Sequence, residues 1–479
     1  MQIAVIGGGI TGLAAAYRLT QILPDASVTI FDKRNRLGGV LETLHRGGFE
    51  IEQSADNFIT TIPWGVNLCK ELGLGEQLVQ TNPKVRRTYV VRKGRLHLLP
   101  DGFLMMAPTK LYPMAVTPIL SWFGKIRAGL ELFIPPRKDD VDESMANFVR
   151  RRLGTEVFER LVEPLVSGVY AADMEQLSVL ATLPRFRDME RKYGSLIIAM
   201  QQQLKANKQA HLEEQSGARY SMFVTLRGGL SVLTETLGEK ITSYNNYAVR
   251  LDTDVLPLQK NDGKWTIEVR HHTNTADEKP MTFDAVIVAS AANDAALLLQ
   301  QSAPVIAEQL AAIRHEGTAI ATFAFETQQI KQEFCGMGFV VPKIENNPIL
   351  AGSFSSLKYE HRAPAGKTLI RVFAGGARAP ELAELEDAQL VPLLLQELKR
   401  IVKIDGEALF SCASHWAGTM PQYHVGHRER VREIEALVQA DKTLALAGNA
   451  FHGVGVPNCI ESGFNAAEKI VSNIEADNE

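Results

Sequence analysis

Short, wholly apolar runs separated by glycine turns mark the start of this chain. Ile3-Ala4-Val5-Ile6 is apolar at every position, the pattern of a strand covered on both faces, and it runs directly into Gly7-Gly8-Gly9. Leu13 to Leu19 then continues as a helix, and Val28-Thr29-Ile30-Phe31 reads as a second buried strand. Two further runs of this kind lie far downstream, Ala285-Val286-Ile287-Val288-Ala289 and Leu444-Ala445-Leu446-Ala447-Gly448. The latter precedes an amphipathic helix expected over Glu461 to Ile474. One core is therefore expected to draw its strands from widely separated stretches, with a large insertion after the second strand. Ahead of Ala285, Val249-Arg250-Leu251-Asp252 and Gly263 to Val269 read as a hairpin turned at Asn261-Asp262-Gly263. The polar tracts Gln201 to Arg219 and His271 to Pro280 read as surface helix or loop, and no internal repeat is found.

The first glycine turn carries the chemistry. Gly7-x-Gly9-x-x-Gly12, placed between a strand and a helix, lets the backbone turn tightly and approach a pyrophosphate, with the helix N-terminal amides of Ile10 and Thr11 facing it. Asp32 ends the second strand, where a carboxylate can hold a ribose hydroxyl. This order of strand, turn, helix, strand and acid is the fingerprint of a dinucleotide site. A second glycine pair, Gly38-Gly39, follows Lys33-Arg34-Asn35-Arg36-Leu37, which an NAD site does not need. It resembles the turn of flavoproteins of the amine-oxidase superfamily, in which the chain passes close to the diphosphate and ribityl part of FAD and a nearby Arg supplies charge-assisted hydrogen bonds. No other glycine cluster has the strand, Gly-x-Gly-x-x-Gly and acid together. A nicotinamide site is thus not expected, and electrons should pass from an organic substrate through the flavin to oxygen or another acceptor.

Composition narrows the class further. With 479 residues, 45% of them hydrophobic, two or three domains can each fill a core. A net charge of −4 gives no reason to expect nucleic acid as a partner. The four cysteines, Cys69, Cys335, Cys412 and Cys459, lie far apart and suggest reduced, cytoplasmic usage without a zinc site or disulfide framework. The first strand starts at Gln2, leaving no room for a signal peptide before it. No run reaches the roughly 20 apolar residues of a spanning helix. The apolar stretch within Leu96 to Pro136, including Phe103 to Pro108 and Ile119 to Phe123, is punctuated by Lys110, Lys125, Arg127 and Glu131 and suits a core, an apolar pocket or a patch touching a membrane surface.

Three stretches carry a more specific resemblance: Glu163-Pro-Leu-Val-Ser-Gly168-Val-Tyr170-Ala-Ala-Asp173, Met420-Pro-Gln-Tyr423-His-Val-Gly426-His427, and Gly448-Asn-Ala-Phe-His-Gly-Val-Gly-Val-Pro-Asn458. Together they resemble the oxygen-dependent protoporphyrinogen and coproporphyrinogen oxidases of haem biosynthesis. The resemblance spans nearly the whole chain and implies non-covalent FAD, a porphyrinogen substrate, oxygen as acceptor and hydrogen peroxide as product. It further implies that Ser54-Ala55-Asp56-Asn57 and Val40 line the cofactor, that the Val454-Gly455-Val456 turn meets the flavin, that Val249 meets the adenine, and that the Gly168 carbonyl points at the reacting bridge carbon. Ile320 and Phe339 are the residues expected to stack on the macrocycle. Arg86, Arg87, Arg92, Lys93 and Arg95 are the cations available for propionates, or else a solvated basic face. His424, His427 and His452 are expected to be structural. Amine oxidases and carotenoid desaturases share the FAD pieces and lack the Tyr170 and Tyr423 motifs, whereas a non-enzymatic binding protein on the same scaffold would have lost the flavin, against which the intact glycines and Asp32 speak.

The fold class that follows is α/β with an added α part: a discontinuous Rossmann-like FAD-binding domain (residues 1–53, 226–296 and 419–479), an inserted mixed-sheet substrate domain (54–80, 170–225 and 297–418) and a helical, membrane-facing subdomain (81–169). Whether the substrate carries two propionates or four stays open, as does oligomeric state, with a homodimer among the arrangements allowed.

Overall fold

The computed structural model describes residues 1–213, 222–271 and 279–478. A five-stranded parallel sheet forms the first layer, in the spatial order Tyr247–Arg250, Ser27–Phe31, Gln2–Ile6, Ala285–Val288, Leu444–Leu446. Its central strands are covered on both faces, which is why their sequences read as unbroken apolar runs. The helix Ile10–Ile22 packs on one face, and the long helix Val456–Asn478 lies against it. The two can approach because Gly463 has no side chain: a Cβ there would sit 2.2 Å from the Thr11 carbonyl oxygen.

Two expectations need correction. Val249 is not part of a hairpin. It belongs to Tyr247–Arg250, which pairs in parallel with Ser27–Phe31, Val249 opposite Ile30. The hairpin is instead Gln259–Asn261 against Lys264–Ile267, and its turn is the one expected, with Asp262 and Gly263 both at positive φ. The final helix also starts earlier than expected, at Val456 rather than Glu461. Of the two polar tracts, the first is helical over Leu196–Glu213 and otherwise lies outside the described residues from 214 to 221; most of the second, 272–278, is likewise outside them.

The second layer is a seven-stranded mixed sheet, ordered Phe410–Pro421, His315–Glu326, Lys367–Gly375, Ala351–Ser353, Gly336–Val340, Arg87–Arg92, Arg95–Leu98. One face is sealed by the helix Asp387–Val402 through Leu390, Leu394, Leu398 and Ile401, which pack with Ala319, Ala321, Phe323, Phe339 and Val372. The alternation of a strand puts Ile320, Phe373 and Val340 on the opposite face. Toward that face lies a helical segment built on Phe148, Leu161, Val166 and Phe186, to whose core Val340 belongs. Within it a π-helical turn, Phe158–Val162, leads into the helix Glu163–Tyr170.

Candidate active site

The dinucleotide turn is assembled by contacts only glycine permits. Gly7 has φ +110 and its N–H donates to the Phe31 carbonyl, while a Cβ on Gly12 would overlap the Gly7 carbonyl oxygen at 1.8 Å. Gly9 differs. It has an ordinary φ of −73, and a Cβ there would meet only Gly39 Cα, at 3.8 Å. Gly9 therefore fronts open space at the start of the helix Ile10–Ile22, whose first turn has neither a side-chain cap nor an acidic residue. A cradle with uncapped amides fits the diphosphate of a dinucleotide. The two glycine turns touch, with Gly38 N–H donating to the Gly8 carbonyl at 2.8 Å.

Asp32 anchors this junction: its carboxylate accepts from the N–H of Gly8 at 2.7 Å and of Arg34 at 2.8 Å. Each oxygen keeps a second lone pair for a ribose hydroxyl. Val249 lies on the strand adjoining Asp32, where Arg250 accepts the Asp32 N–H. Lys33 pairs with Asp294 at 2.9 Å, and Arg36 donates to the Gly39 carbonyl and pairs with Glu42 at 2.7 Å. Arg34, not singled out from the sequence, also donates to Gly39 and lies over Trp416, 5.0 Å from the ring centroid. Val40 is exposed, and its carbonyl accepts from Ser54 Oγ at 2.5 Å.

The loop Ser54-Ala55-Asp56-Asn57 rests on a buried ion cluster that no local motif announces. Asp56 pairs with Lys358 at 3.1 Å, Arg371 donates to the Ser54 carbonyl, and Arg362 bridges Glu52 at 2.9 Å and the Asp56 carbonyl at 3.0 Å. Burial alone raises the Asp56 pKa, but Lys358, Arg371 and Arg362 outweigh it and hold the carboxyl down at about 2. The loop is thereby pinned to the mixed sheet, and Trp416 adds a hydrogen bond to the Gln53 carbonyl at 2.6 Å.

Gly168 lies in the last turn of the helix Glu163–Tyr170, exposed beside Val169, which is 50% exposed. A Cβ on it would touch Val340 Cγ1 and Ala351 Cβ, both at 3.8 Å, so this helix turn packs against the face of the mixed sheet turned away from the helix Asp387–Val402. The left-handed residue that ends the helix is Ala171, φ 49, not Gly168. Ile320 lies on that same face, level with Phe373. Phe339 does not. Its ring packs with Phe354 under the helix Asp387–Val402, because Phe339 and Val340 point to opposite sides of their strand, and the residue facing Gly168 is Val340. Arg87–Arg92 and Arg95–Leu98 form the expected strand pair, but Lys93 and Arg95 line a polar recess of about 590 Å³ with Glu345, Glu397 and Arg400. Arg86 and Arg87 are exposed and Arg92 is half-buried. The histidines fall outside the polar junctions described above: His452 pairs with Glu435, while His427 is buried and stacked on Tyr423. Among the described residues no cluster of His, Cys, Asp or Glu could hold a metal ion.

The turn Val454–Val456 joins the parallel-sheet layer to the helical segment, Val454 packing on the helical core and Val456 on the core of the parallel sheet. It faces the problem a flavin site poses, a cofactor shared between a nucleotide fold and a substrate fold. Residues 10–471 match the family described as flavin containing amine oxidoreductase. The chain belongs to that family. Its relatives include porphyrinogen oxidases. The coproporphyrinogen III oxidase of Bacillus subtilis (strain 168) is 33% identical, with 96% of each chain covered. That of Staphylococcus aureus is 32% identical with 99% of each covered. A solved structure from Exiguobacterium sp. 255-15, described as a protoporphyrinogen oxidase, is 31% identical with a TM-score of 0.85 over 99% of both chains. This oxidoreductase is therefore an FAD enzyme, and the glycine cradle, Asp32 and the uncapped helix end are the residues that fit its cofactor.

Proposed function

We propose that this flavoenzyme oxidises coproporphyrinogen III to coproporphyrin III, consuming three O₂ and releasing three H₂O₂ per macrocycle. The observation that carries the reading is the exposed turn Gly168–Val169, backed by the apolar sheet residues Val340 and Ala351, an apolar edge against which a flat tetrapyrrole can lie. The substrate assignment follows the two relatives named for coproporphyrinogen III.

Bound FAD supplies the two-electron acceptor for hydride from a methine-bridge carbon, and oxygen regenerates it. What the chain adds is positional. Gly9, Gly39 and the amides of Ile10 and Thr11 hold the diphosphate, Asp32 the ribose, and Val249 the adenine. Ser54-Ala55-Asp56-Asn57 and Val454-Gly455-Val456 flank the isoalloxazine from the two layers. The Gly168 backbone orients the macrocycle against Ile320 and Val340, and the apolar walls keep bulk water from the reacting carbon. Porphyrin fluorescence from copro- and protoporphyrinogen, with peroxide measured in parallel, tests this. Faster turnover of protoporphyrinogen overturns the substrate, and flavin reduction by NADPH with no response to either porphyrinogen overturns the reaction.

The same reading places the enzyme against lipid. Tyr112, Val116, Trp122, Phe123, Ile126 and Phe133 are between 57% and 87% exposed along one stretch of chain, with Lys125 beside the Trp122 ring. No helix among the described residues is long and apolar enough to cross a membrane. Peripheral contact with an anionic bilayer accounts for such a surface. Sedimentation with anionic vesicles that survives Trp122→Ser combined with Phe123→Ser counts against it.

A further inference from the structure

The Tyr423 motif has no part in the chemistry above, yet the structure gives Tyr423 an unusual set of bonds. Its ring is 1% exposed and belongs to the helical core, alongside Met174, Leu177 and Val179. Its hydroxyl reaches out of that core, donating to the Asn449 carbonyl at 2.5 Å and accepting from the Gly453 N–H at 2.9 Å. Its own carbonyl accepts from Ser178 N–H at 2.8 Å, and the next residue, His424, bridges to Leu177. On its other side the His427 ring stacks at 4.0 Å and 13°. His427 is 5% exposed. Tyr423, with the His427 ring stacked behind it, thus holds the turn Asn449–Gly453 from one side. From the other, Asn458 closes it: a Cβ on Gly453, whose φ is +147, would lie 2.6 Å from the Asn458 amide carbon.

Only a hydroxyl can satisfy this turn, since one partner needs a donor and the other an acceptor. The next residues are Val454, Gly455 and Val456. We propose that Tyr423 is a positioning residue for the flavin: its hydroxyl sets where the Val454–Val456 turn stands relative to the helical segment that carries Gly168. The proposal rests on the reading that this turn meets the flavin. It predicts that removing one oxygen changes the flavin itself. The buried Asn449 carbonyl and Gly453 N–H lose their partner, and the turn relaxes toward another geometry.

Tyr423→Phe and Gly455→Val, each prepared as holoenzyme and as apoprotein, separate the two claims. For Tyr423→Phe the expected result is FAD binding to the apoprotein weakened by about tenfold, a displaced visible flavin spectrum, an altered midpoint potential, and kcat lowered by at least about tenfold with KM nearly unchanged. Wild-type flavin affinity, spectrum and kcat in Tyr423→Phe, while Gly455→Val loses FAD, overturns the role of Tyr423 and leaves the turn at the flavin. Neither variant disturbing the flavin overturns the placement of the turn as well. A fall in melting temperature with wild-type spectrum and kcat per bound flavin also overturns the proposal, because a bond that only braces the fold leaves the cofactor unmoved. Should Tyr423→Phe not accumulate, His427→Leu withdraws the stacked ring instead, and an unchanged flavin spectrum there overturns the proposal equally.

Discussion

Gly168→Val is a perturbation whose effects on fold and on turnover should separate cleanly. A Cβ at Gly168 would stand 3.8 Å from Val340 Cγ1 and Ala351 Cβ, ordinary contact distances, and the glycine does not occupy the left-handed region. The protein itself accommodates a Cβ there. Replacing a glycine within a helix by alanine gains about 1 kcal/mol, and valine falls short of alanine by up to about 0.7 kcal/mol, so the helix is expected to be about as stable as before. A planar substrate lying against this turn meets the isopropyl group directly. Displacing the reacting carbon from the flavin should cut turnover by about 100-fold, equivalent to about 2.7 kcal/mol in the barrier. The assay is porphyrin fluorescence normalised to bound flavin, alongside a thermal melt, with Gly168→Ala as the intermediate step. Normal flavin-normalised turnover in Gly168→Val removes this residue from the site. Lost turnover accompanied by a melting temperature lowered by many degrees refutes the claim that the position accommodates a side chain.

Gly9→Val should purify largely without FAD while melting like the wild-type apoprotein, since its Cβ meets nothing closer than 3.8 Å in the protein; stoichiometric FAD of unchanged affinity contradicts the cradle. Burial lowers the His427 pKa from 6.5 to about 4. The unfolded chain binds that proton first, so the stability His427 contributes is fully present above pH 6.5 and is lost as pH falls toward 4, by about 3 kcal/mol in all. His427→Phe should flatten the acid limb of a melting-temperature profile in that window, and an unchanged slope counts against it. Ala171→Gly relieves a left-handed alanine, φ 49, and should raise stability by about 1 kcal/mol at most, read from denaturant midpoints; destabilisation would show that its methyl packs better than its backbone suffers.

The parallel core was legible because strands buried on both faces must be apolar at every position, and a tight turn into a helix leaves little freedom in the placing of glycine. Tyr247–Arg250 was misread for the complementary reason. It is an edge strand with Tyr247 buried and Ala248 exposed, so its alternation looks like half of a hairpin. Phe339 was placed on the wrong side because Phe339-Val340-Val341 is apolar throughout: the sheet is covered on both faces, and periodicity cannot say which face meets substrate. The cluster of Glu52, Asp56, Lys358, Arg362 and Arg371 draws its members from distant stretches, 302 residues apart for Asp56 and Lys358 and 310 for Glu52 and Arg362, so no spacing betrays it. Arg34 was legible in principle, as a cation between two glycine turns, but only the arrival of Trp416 gives it a purpose.

The scattered origin of the parallel sheet has a consequence for biosynthesis. Ala285–Val288, buried at every position, is made with one of its neighbours already available and the other, Leu444–Leu446, still about 150 residues away. At ordinary elongation rates that interval is roughly 8 to 30 s. For that time a fully apolar strand edge stands open on the ribosome, and the turn Val454–Val456 does not yet exist. Cofactor capture therefore belongs to the last moments of synthesis or after release. Such an edge is a site for aggregation, and loss of even the final few dozen residues leaves a four-stranded sheet with an apolar strand at its open edge instead of a smaller enzyme.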